Sequence, residues 1–331
     1  MVTLYIPEIF EAATSNEDVW IAIDDSCERI HKATKGWGTD EKGLIDVMGS
    51  LSPYERLRVI RRYPMMYGGK ELEKLMKEEC GGDFGDALQL LAVPCDQADA
   101  KIIRKSTREL GTNEHLLYPV ICGRTNAEID LLKKTWFLRY GSDLTQVLAS
   151  ELSGNLERIV VACLQGIEEV YDEGYHTQEK AEEDAEKFYE AGQGRWGTNE
   201  KVVFQTLCQS PPEHLRQINS VYADKYGYTL SKALDKELGG YVRDAALYHL
   251  NMKIEPYETA AAQIKKSCAG FGTDEYALTA CIVRYQVILR QVDEAHTKAY
   301  DKSIIDRINS EVRGDYRKIL IVIVENTPYH C

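Results

Sequence analysis

The groups in this chain most able to do chemistry are four glutamates and four Gly-Thr pairs held in near-constant register. The pairs are Gly38-Thr39, Gly111-Thr112, Gly197-Thr198 and Gly272-Thr273, at intervals of 73, 86 and 75 residues. The glutamates are Glu79, Glu151, Glu237 and Glu311, each opening a Glu-x-x-Gly motif 39–41 residues after its glycine. Glycine lets a backbone turn its carbonyls outward without a Cβ clash. Backbone carbonyls, a bidentate carboxylate and water are what Ca2+ takes, roughly six to eight oxygens in all. One carboxylate with a few neutral carbonyls makes an incomplete site of low ligand charge, open to water or to an outside anion such as a lipid phosphate. A single Glu-x-x-Gly reads as a helix end with a glycine cap. Four of them, each paired with a Gly-Thr loop, point to a metal instead.

The elements that must position these groups repeat with them. An acidic segment follows each pair, "GTDE", "GTNE", "GTNE" and "GTDE". In the first of these Thr39 offers an N-cap, and Asp40 and Glu41 suit the positive end of a helix dipole. Capping boxes open at Ser52, Thr125 and Ser210, and the fourth unit has "RYQV" at that place. A Tyr-Gly turn recurs at Tyr67-Gly68, Tyr140-Gly141 and Tyr226-Gly227, and becomes Tyr300-Asp301 in the last unit. "EKGLIDVMGS" and "KVVFQTLCQS" carry apolar residues at helical spacing. The expectation is an all-α chain of four homologous repeats of about 70 residues, each of several short helices. The repeats are placed at residues 17–92, 93–166, 188–252 and 253–327, after a tail of residues 1–16. Residues 167–187 read as an acidic, exposed linker with a helical second part, joining two halves of two repeats each.

Composition narrows the function. Forty Lys and Arg against 53 Asp and Glu give a formal charge of −13, which disfavours nucleic acid and, unaided, anionic lipid. Nine scattered cysteines without a CxxC pair do not make a disulfide framework, and most read as small buried residues of a reduced compartment. The N-terminus lacks a secretory signal, and apolar runs such as "ILIVIV" are too short to span a bilayer. There is no P-loop, HExxH, nucleophile elbow or dinucleotide fingerprint, so no enzyme is expected. The seven histidines are dispersed, and His31 near Cys27 reads as structural. The residue between the loop glycines or just before the Gly-Thr pair is large and apolar: Trp37, Leu110, Trp196 and Phe271. Such a side chain either packs its own loop or enters the interfacial zone of a membrane, where Trp is at home.

At "KGWGTDE", "SELSGNLERIVVACLQG" and "AGFGTDE" the chain resembles the annexin family, over all four repeats from about residue 17 to 327. The resemblance implies five helices per repeat in a curved disc, with Ca2+ sites on its convex face that dock on anionic phospholipid. In repeat 1 it implies the carbonyls of Thr34, Gly36 and Gly38 with the carboxylate of Glu79. In repeat 4 it implies the carbonyls of Cys268, Gly270 and Gly272 with Glu311. Repeat 3 carries Arg195 where the first loop glycine would stand, and the resemblance then implies Gly192, Arg195 and Gly197 with Glu237. Repeat 2 carries Glu109 in that place, and no strong site is expected there although Glu151 remains. A minor site at the Thr39 carbonyl and Glu41 is outweighed by helix capping. Trp37, Trp196 and Phe271 are the implied membrane contacts. The implied cofactor is Ca2+ and the implied partner an anionic membrane surface, met from the cytoplasm when Ca2+ rises. A cytoskeletal or membrane-associated scaffold is the rival reading, with filaments and lateral self-assembly left open as partners. An ion-conducting role has no transmembrane element behind it. The tail, with "LYIPEIF" broken by Pro7, reads as a strap on the body.

Overall fold

The computed structural model describes residues 2–5, 17–36, 38–108, 111–192, 199–270 and 272–327, with the side chains of residues 17–20 excepted. Twenty α-helices and no strand are found among the described residues, five helices to a repeat. Repeat 1 holds α1 (Glu17–Ala33), α2 (Glu41–Met48), α3 (Pro53–Met66), α4 (Leu72–Glu79) and α5 (Gly82–Leu91). Repeat 2 holds α6 (Cys95–Ser106), α7 (Glu114–Ile121), α8 (Asn126–Tyr140), α9 (Leu144–Glu151) and α10 (Gly154–Leu164). Repeat 3 holds α11 (Gln178–Ala191), α12 (Glu200–Gln209), α13 (Pro212–Tyr226), α14 (Leu230–Glu237) and α15 (Gly240–Ile254). Repeat 4 holds α16 (Pro256–Ser267), α17 (Glu275–Arg284), α18 (Leu289–Tyr300), α19 (Ile304–Glu311) and α20 (Gly314–Glu325), with a 3-10 turn at Gln286–Ile288.

The helices start and stop where local chemistry directs. Ser52 and Thr125 form complete capping boxes with Glu55 and Glu128. The box expected at Ser210 is absent. There α13 begins at Pro212 and its N-cap is Pro211, which has no side-chain acceptor. Two consecutive prolines shift the helix start by one residue and strand Ser210 outside it. In place of a box, repeat 4 has the 3-10 turn that leads into α18. The Tyr-Gly turns are helix stops, with Gly141 and Gly227 left-handed after α8 and α13, and Asp301 left-handed after α18.

The pairing of repeats differs from the expectation. One compact unit comprises Met1–Thr3 with Asp99–Thr259, and the other Leu4–Ala98 with Ala260–Cys331. Repeats 2 and 3 therefore share one core and repeats 1 and 4 share the other. Burial of the fifth helices explains this. In the second unit α20 packs on α2 and α5, covering Ile319, Leu320 and Ile323. In the first unit α10 packs on α12 and α15, covering Ile159, Val160 and Leu164. Each fully buried aliphatic side chain contributes roughly 1.5–3 kcal/mol, and a fifth helix cannot hide its whole apolar surface within its own repeat. The linker thus runs inside a unit rather than between halves. It is tied down there by Asn126, whose side chain donates to the Glu168 carbonyl at 2.9 Å and accepts from the Glu168 N–H at 3.0 Å. Val170, 89% exposed, fits the expected exposed stretch, and the helical second part is α11.

His296 in α18 gives the second unit a pH dependence. Its ring is buried, Nδ1 donates to the Lys302 carbonyl at 2.6 Å, and Nε2 accepts from Arg307 Nε at 3.0 Å. Burial lowers its pKa from the ordinary imidazole value, the Lys302 bond raises it in part, and the Arg307 charge lowers it further. The unfolded chain therefore takes up a proton at a higher pH than the folded one does. Stability is full above the ordinary imidazole value, about 6.5, and falls as pH drops from there through the depressed folded value. Thermal unfolding measured between about pH 7.5 and 5 shows this decline, and His296→Asn removes its share of the slope.

Candidate metal centres

Each Gly-Thr loop joins the first helix of a repeat to the second, and its ends are closed in one way in all four repeats. The N–H of the residue after the threonine donates to the carbonyl of the last residue of the first helix. The pairs are Asp40 to Ala33 at 2.8 Å, Asn113 to Ser106 at 2.8 Å, Asn199 to Ala191 at 2.6 Å and Asp274 to Ser267 at 2.9 Å. Within the closed loops Gly36, Gly38, Gly111, Gly270 and Gly272 take φ of +118°, +85°, +92°, +110° and +96°. A Cβ built at Gly36, Gly38, Gly270 or Gly272 would meet nothing within 4 Å. Packing does not demand glycine at these positions. The left-handed backbone does, and the loops face open space.

The threonine does not cap the helix, contrary to expectation. Asp40 caps α2 by accepting from Gly43 N, Asn113 caps α7 by accepting from Leu116 N, and Asp274 caps α17 by accepting from Ala277 N. The hydroxyl is thereby free for the glutamate. Thr39 Oγ1 lies 3.1 Å from the Glu79 carbonyl oxygen and 3.4 Å from Glu79 Oε2, and Thr273 Oγ1 donates to Glu311 Oε2 at 3.2 Å. Loop and carboxylate, some 40 residues apart in sequence, are brought side by side in repeats 1 and 4.

The glutamate holds its place because it ends an eight-residue helix in every repeat: α4, α9, α14 and α19. The next residue is extended, and Leu152, Leu238 and Val312 bury their side chains there, anchoring the chain just past the carboxylate. The motif glycine then opens the following helix with φ near +60°, as Gly82, Gly154, Gly240 and Gly314. It is an entry residue, not the C-cap of the helix that carries the glutamate.

The four sites are unequal. Glu79, Glu237 and Glu311 are half-buried, whereas Glu151 is exposed. Among the described residues Thr112 makes no hydrogen bond to Glu151. In repeat 3 a Cβ on Gly192 would come 3.3 Å from Glu237 Cγ, so the backbone there lies directly against the carboxylate-bearing side chain. Thr34 follows α1 immediately and Cys268 follows α16, so both sit at the mouths of their loops. Arg195, Gly197, Trp37, Trp196 and Phe271 lie outside the described residues, as do Glu109 and Leu110.

Charge at the sites was only partly legible beforehand. Glu79 borders a recess of about 340 Å3 that Glu41, Asp83, Arg313 and Asp315 also line, so carboxylates outnumber cations beside the repeat 1 loop. In repeat 4 the largely buried Arg307 lies 3.7 Å from Glu311 Oε1. The i,i+4 spacing of this pair was visible in the sequence, and the corresponding positions in the other repeats are Leu75, Val147 and Ala233. Repeat 4 thus carries an arginine one turn before its glutamate, at a position that is apolar in the other three repeats.

The fold and these loops define a four-repeat helical array with one Gly-Thr loop and one glutamate per repeat. Residues 25–91, 98–163, 183–248 and 259–323 match the annexin repeat. Human annexin A13 is 32% identical over 304 residues, covering 91% of this chain and 95% of its own. Annexin III superposes with a TM-score of 0.86 at 28% identity, covering 91% of this chain and 93% of its own. A calcium-bound annexin (Sm)1 shares the fold with a TM-score of 0.80 at 24% identity. The chain belongs to the annexin family, whose members in general bind phospholipid in a calcium-dependent manner. No helix among the described residues is long and apolar enough to cross a membrane.

Proposed function

We propose that this protein binds anionic phospholipid surfaces reversibly through Ca2+ held at the loops of repeats 1, 3 and 4. The observation that carries this is the pairing of the Gly-Thr loop with its glutamate, through Thr39 and Glu79 and through Thr273 and Glu311. The proposed ligands are the carbonyls of Thr34, Gly36 and Gly38 with Glu79, those of Gly192, Arg195 and Gly197 with Glu237, and those of Cys268, Gly270 and Gly272 with Glu311. The donor set is all oxygen and carries one formal charge per site. That suits a hard cation held weakly until a lipid phosphate adds its own oxygens. On a chain of net charge −13, the ion also supplies the attraction that the protein surface lacks. The protein acts from the cytoplasm as a peripheral membrane protein and not as an enzyme.

The test is pelleting with phosphatidylserine-containing vesicles in Ca2+ and then in chelator, beside vesicles of phosphatidylcholine alone. Pelleting only with Ca2+ and anionic lipid is expected. No pelleting at any Ca2+ concentration would transfer the reading to a scaffold, to be followed by co-sedimentation with filaments. Trp37, Trp196 and Phe271 are proposed to enter the lipid interface beside the bound ions. Trp37→Ala and Trp196→Ala weaken vesicle binding while leaving its Ca2+ dependence in place. Unchanged vesicle affinity would assign these side chains to packing.

A further inference from the structure

The core shared by repeats 2 and 3 contains a cluster that the calcium loops do not use. Cys122 follows α7, Cys163 lies in α10, Cys208 in α12 and His249 in α15. All four are buried, at 1%, 7%, 5% and 3% exposure. Cys163 is the hub. Its Sγ lies 3.8 Å from Cys122 Sγ, 3.8 Å from Cys208 Sγ and 3.2 Å from His249 Nδ1. The donor atoms of Cys122, Cys163 and His249 all fall within 4.8 Å of one another.

Buried cysteines alone only pack, as small apolar residues do. The imidazole makes this cluster different. His249 Nε2 lies 3.0 Å from the Leu207 carbonyl, which can only accept, so Nε2 carries the ring proton. Nδ1 then holds a lone pair that accepts from the Gly123 N–H at 3.1 Å and lies 3.2 Å from Cys163 Sγ, so a metal bound there displaces the Gly123 bond. A histidine whose far nitrogen donates to a backbone carbonyl is the usual arrangement of a metal ligand, because that bond fixes both tautomer and ring orientation. Lys253 Nζ, 3.1 Å from the same Leu207 carbonyl, secures the acceptor from the other side.

The spacing has a meaning too. In a tetrahedral zinc site with Zn–S bonds of about 2.3 Å, neighbouring sulfurs stand about 3.8 Å apart. Both sulfur pairs around Cys163 have that separation. The chain places no carboxylate in the set, which selects against Ca2+ and for a borderline-soft d10 ion.

We infer that Cys122, Cys163 and His249 form a structural Zn2+ site inside the core of repeats 2 and 3, with Cys208, which lies 3.8 Å from Cys163 but outside that set of mutually close donors, turning in as the fourth ligand. On binding, Cys122 and Cys163 each release one proton to solvent and donate as thiolates, and His249 donates its Nδ1 lone pair. Two thiolates balance the double charge of the ion, so no net charge is buried. Cys208 binds as a neutral thiol, because the Lys253 ammonium is already paired with Glu168 at 2.7 Å and does not offset a third thiolate. The site is closed to solvent, so metal enters as the unit folds rather than by exchange at the surface. It joins α10 and the turn after α7 in repeat 2 to α12 and α15 in repeat 3, and is separate in residues and in ligand chemistry from the calcium loops.

The test is zinc content and thermal stability of the full chain, expressed or refolded with Zn2+ and then dialysed in excess Ca2+ so that surface oxygen sites are occupied. Wild type is expected to retain one zinc per chain and to unfold at a higher temperature than protein refolded without zinc. Cys122→Ser with Cys163→Ser, and separately His249→Gln, are expected to lose the retained zinc while vesicle pelleting in Ca2+ persists. Co2+ refolded into the wild-type chain gives a readout that needs no variant, a thiolate-to-cobalt charge-transfer band in the near ultraviolet. Absence of retained zinc in wild type, retention in both variants, or a cobalt complex without that band would each overturn the assignment. Loss of two free thiols on mild oxidation, with no zinc uptake, would replace it by a dithiol pair centred on Cys163.

Discussion

Replacing Glu79, Glu237 and Glu311 together by Gln abolishes calcium-dependent pelleting with phosphatidylserine vesicles, with helicity measured by circular dichroism unchanged. Gln keeps the size of the side chain and an oxygen that Thr39 or Thr273 can still approach, so the loops stay closed. What is lost is one full negative charge at each site, set against a doubly charged ion at about 2.4 Å. The other proposed donors are neutral carbonyls, so the donor set is left without a formal charge. Every 1.4 kcal/mol removed from binding lowers affinity about tenfold, so the loss of an ion-contacting charge moves a weak site out of the accessible Ca2+ range. Among single variants, Glu79→Gln weakens binding strongly. Glu311→Gln also releases Arg307, leaving a cation at the mouth of the repeat 4 loop. Glu151→Gln changes little, because that carboxylate is exposed and not held by Thr112. Vesicle binding that survives the triple replacement would show that the ligands have been wrongly assigned.

The second large effect is on stability. Arg124→Met destabilises the unit of repeats 2 and 3 by about 3–5 kcal/mol, read as a lower midpoint in urea. Arg124 lies in the turn after α7, is 6% exposed, and donates to Asp99 and to Glu128, which are 0% and 3% exposed. Its Nε also donates to the Val120 carbonyl at 3.0 Å. Removing the guanidinium takes from two buried carboxylates a cation that offsets their desolvation. Adding Asp99→Asn and Glu128→Gln to Arg124→Met removes both charges and recovers a large part of the loss. Glu128 also completes the capping box of α8 with Thr125, and Gln retains that bond. A loss below about 1 kcal/mol for Arg124→Met would class the cluster with exposed ion pairs.

The amino-acid sequence by itself determined the all-helical repeat, its number, and the near-constant interval from each Gly-Thr to a glutamate. These are local or periodic properties. Helical spacing, a capping box, and a glycine followed at a constant interval by an acid can all be read along the chain. The tertiary structure decided the rest. That Thr39 and Thr273 hold the glutamates instead of capping their helices depends on a contact across some 40 residues, and no local signal separates Thr39 from Asp40 as a cap. The spacing of Arg307 and Glu311 was visible, but the bond from Arg307 Nε to the buried His296 was not. The pairing of repeat 1 with repeat 4, and of repeat 2 with repeat 3, escaped a reading that took the acidic linker for the boundary. Hydrophobic burial is non-directional and blind to sequence order, so the fifth helices chose their partners by the surfaces available to cover them. The convergence of Cys122, Cys163, Cys208 and His249 is of the same kind. In sequence they are scattered residues, and only the packing of repeat 2 on repeat 3 brings Cys122, Cys163 and His249 to one point with Cys208 beside Cys163.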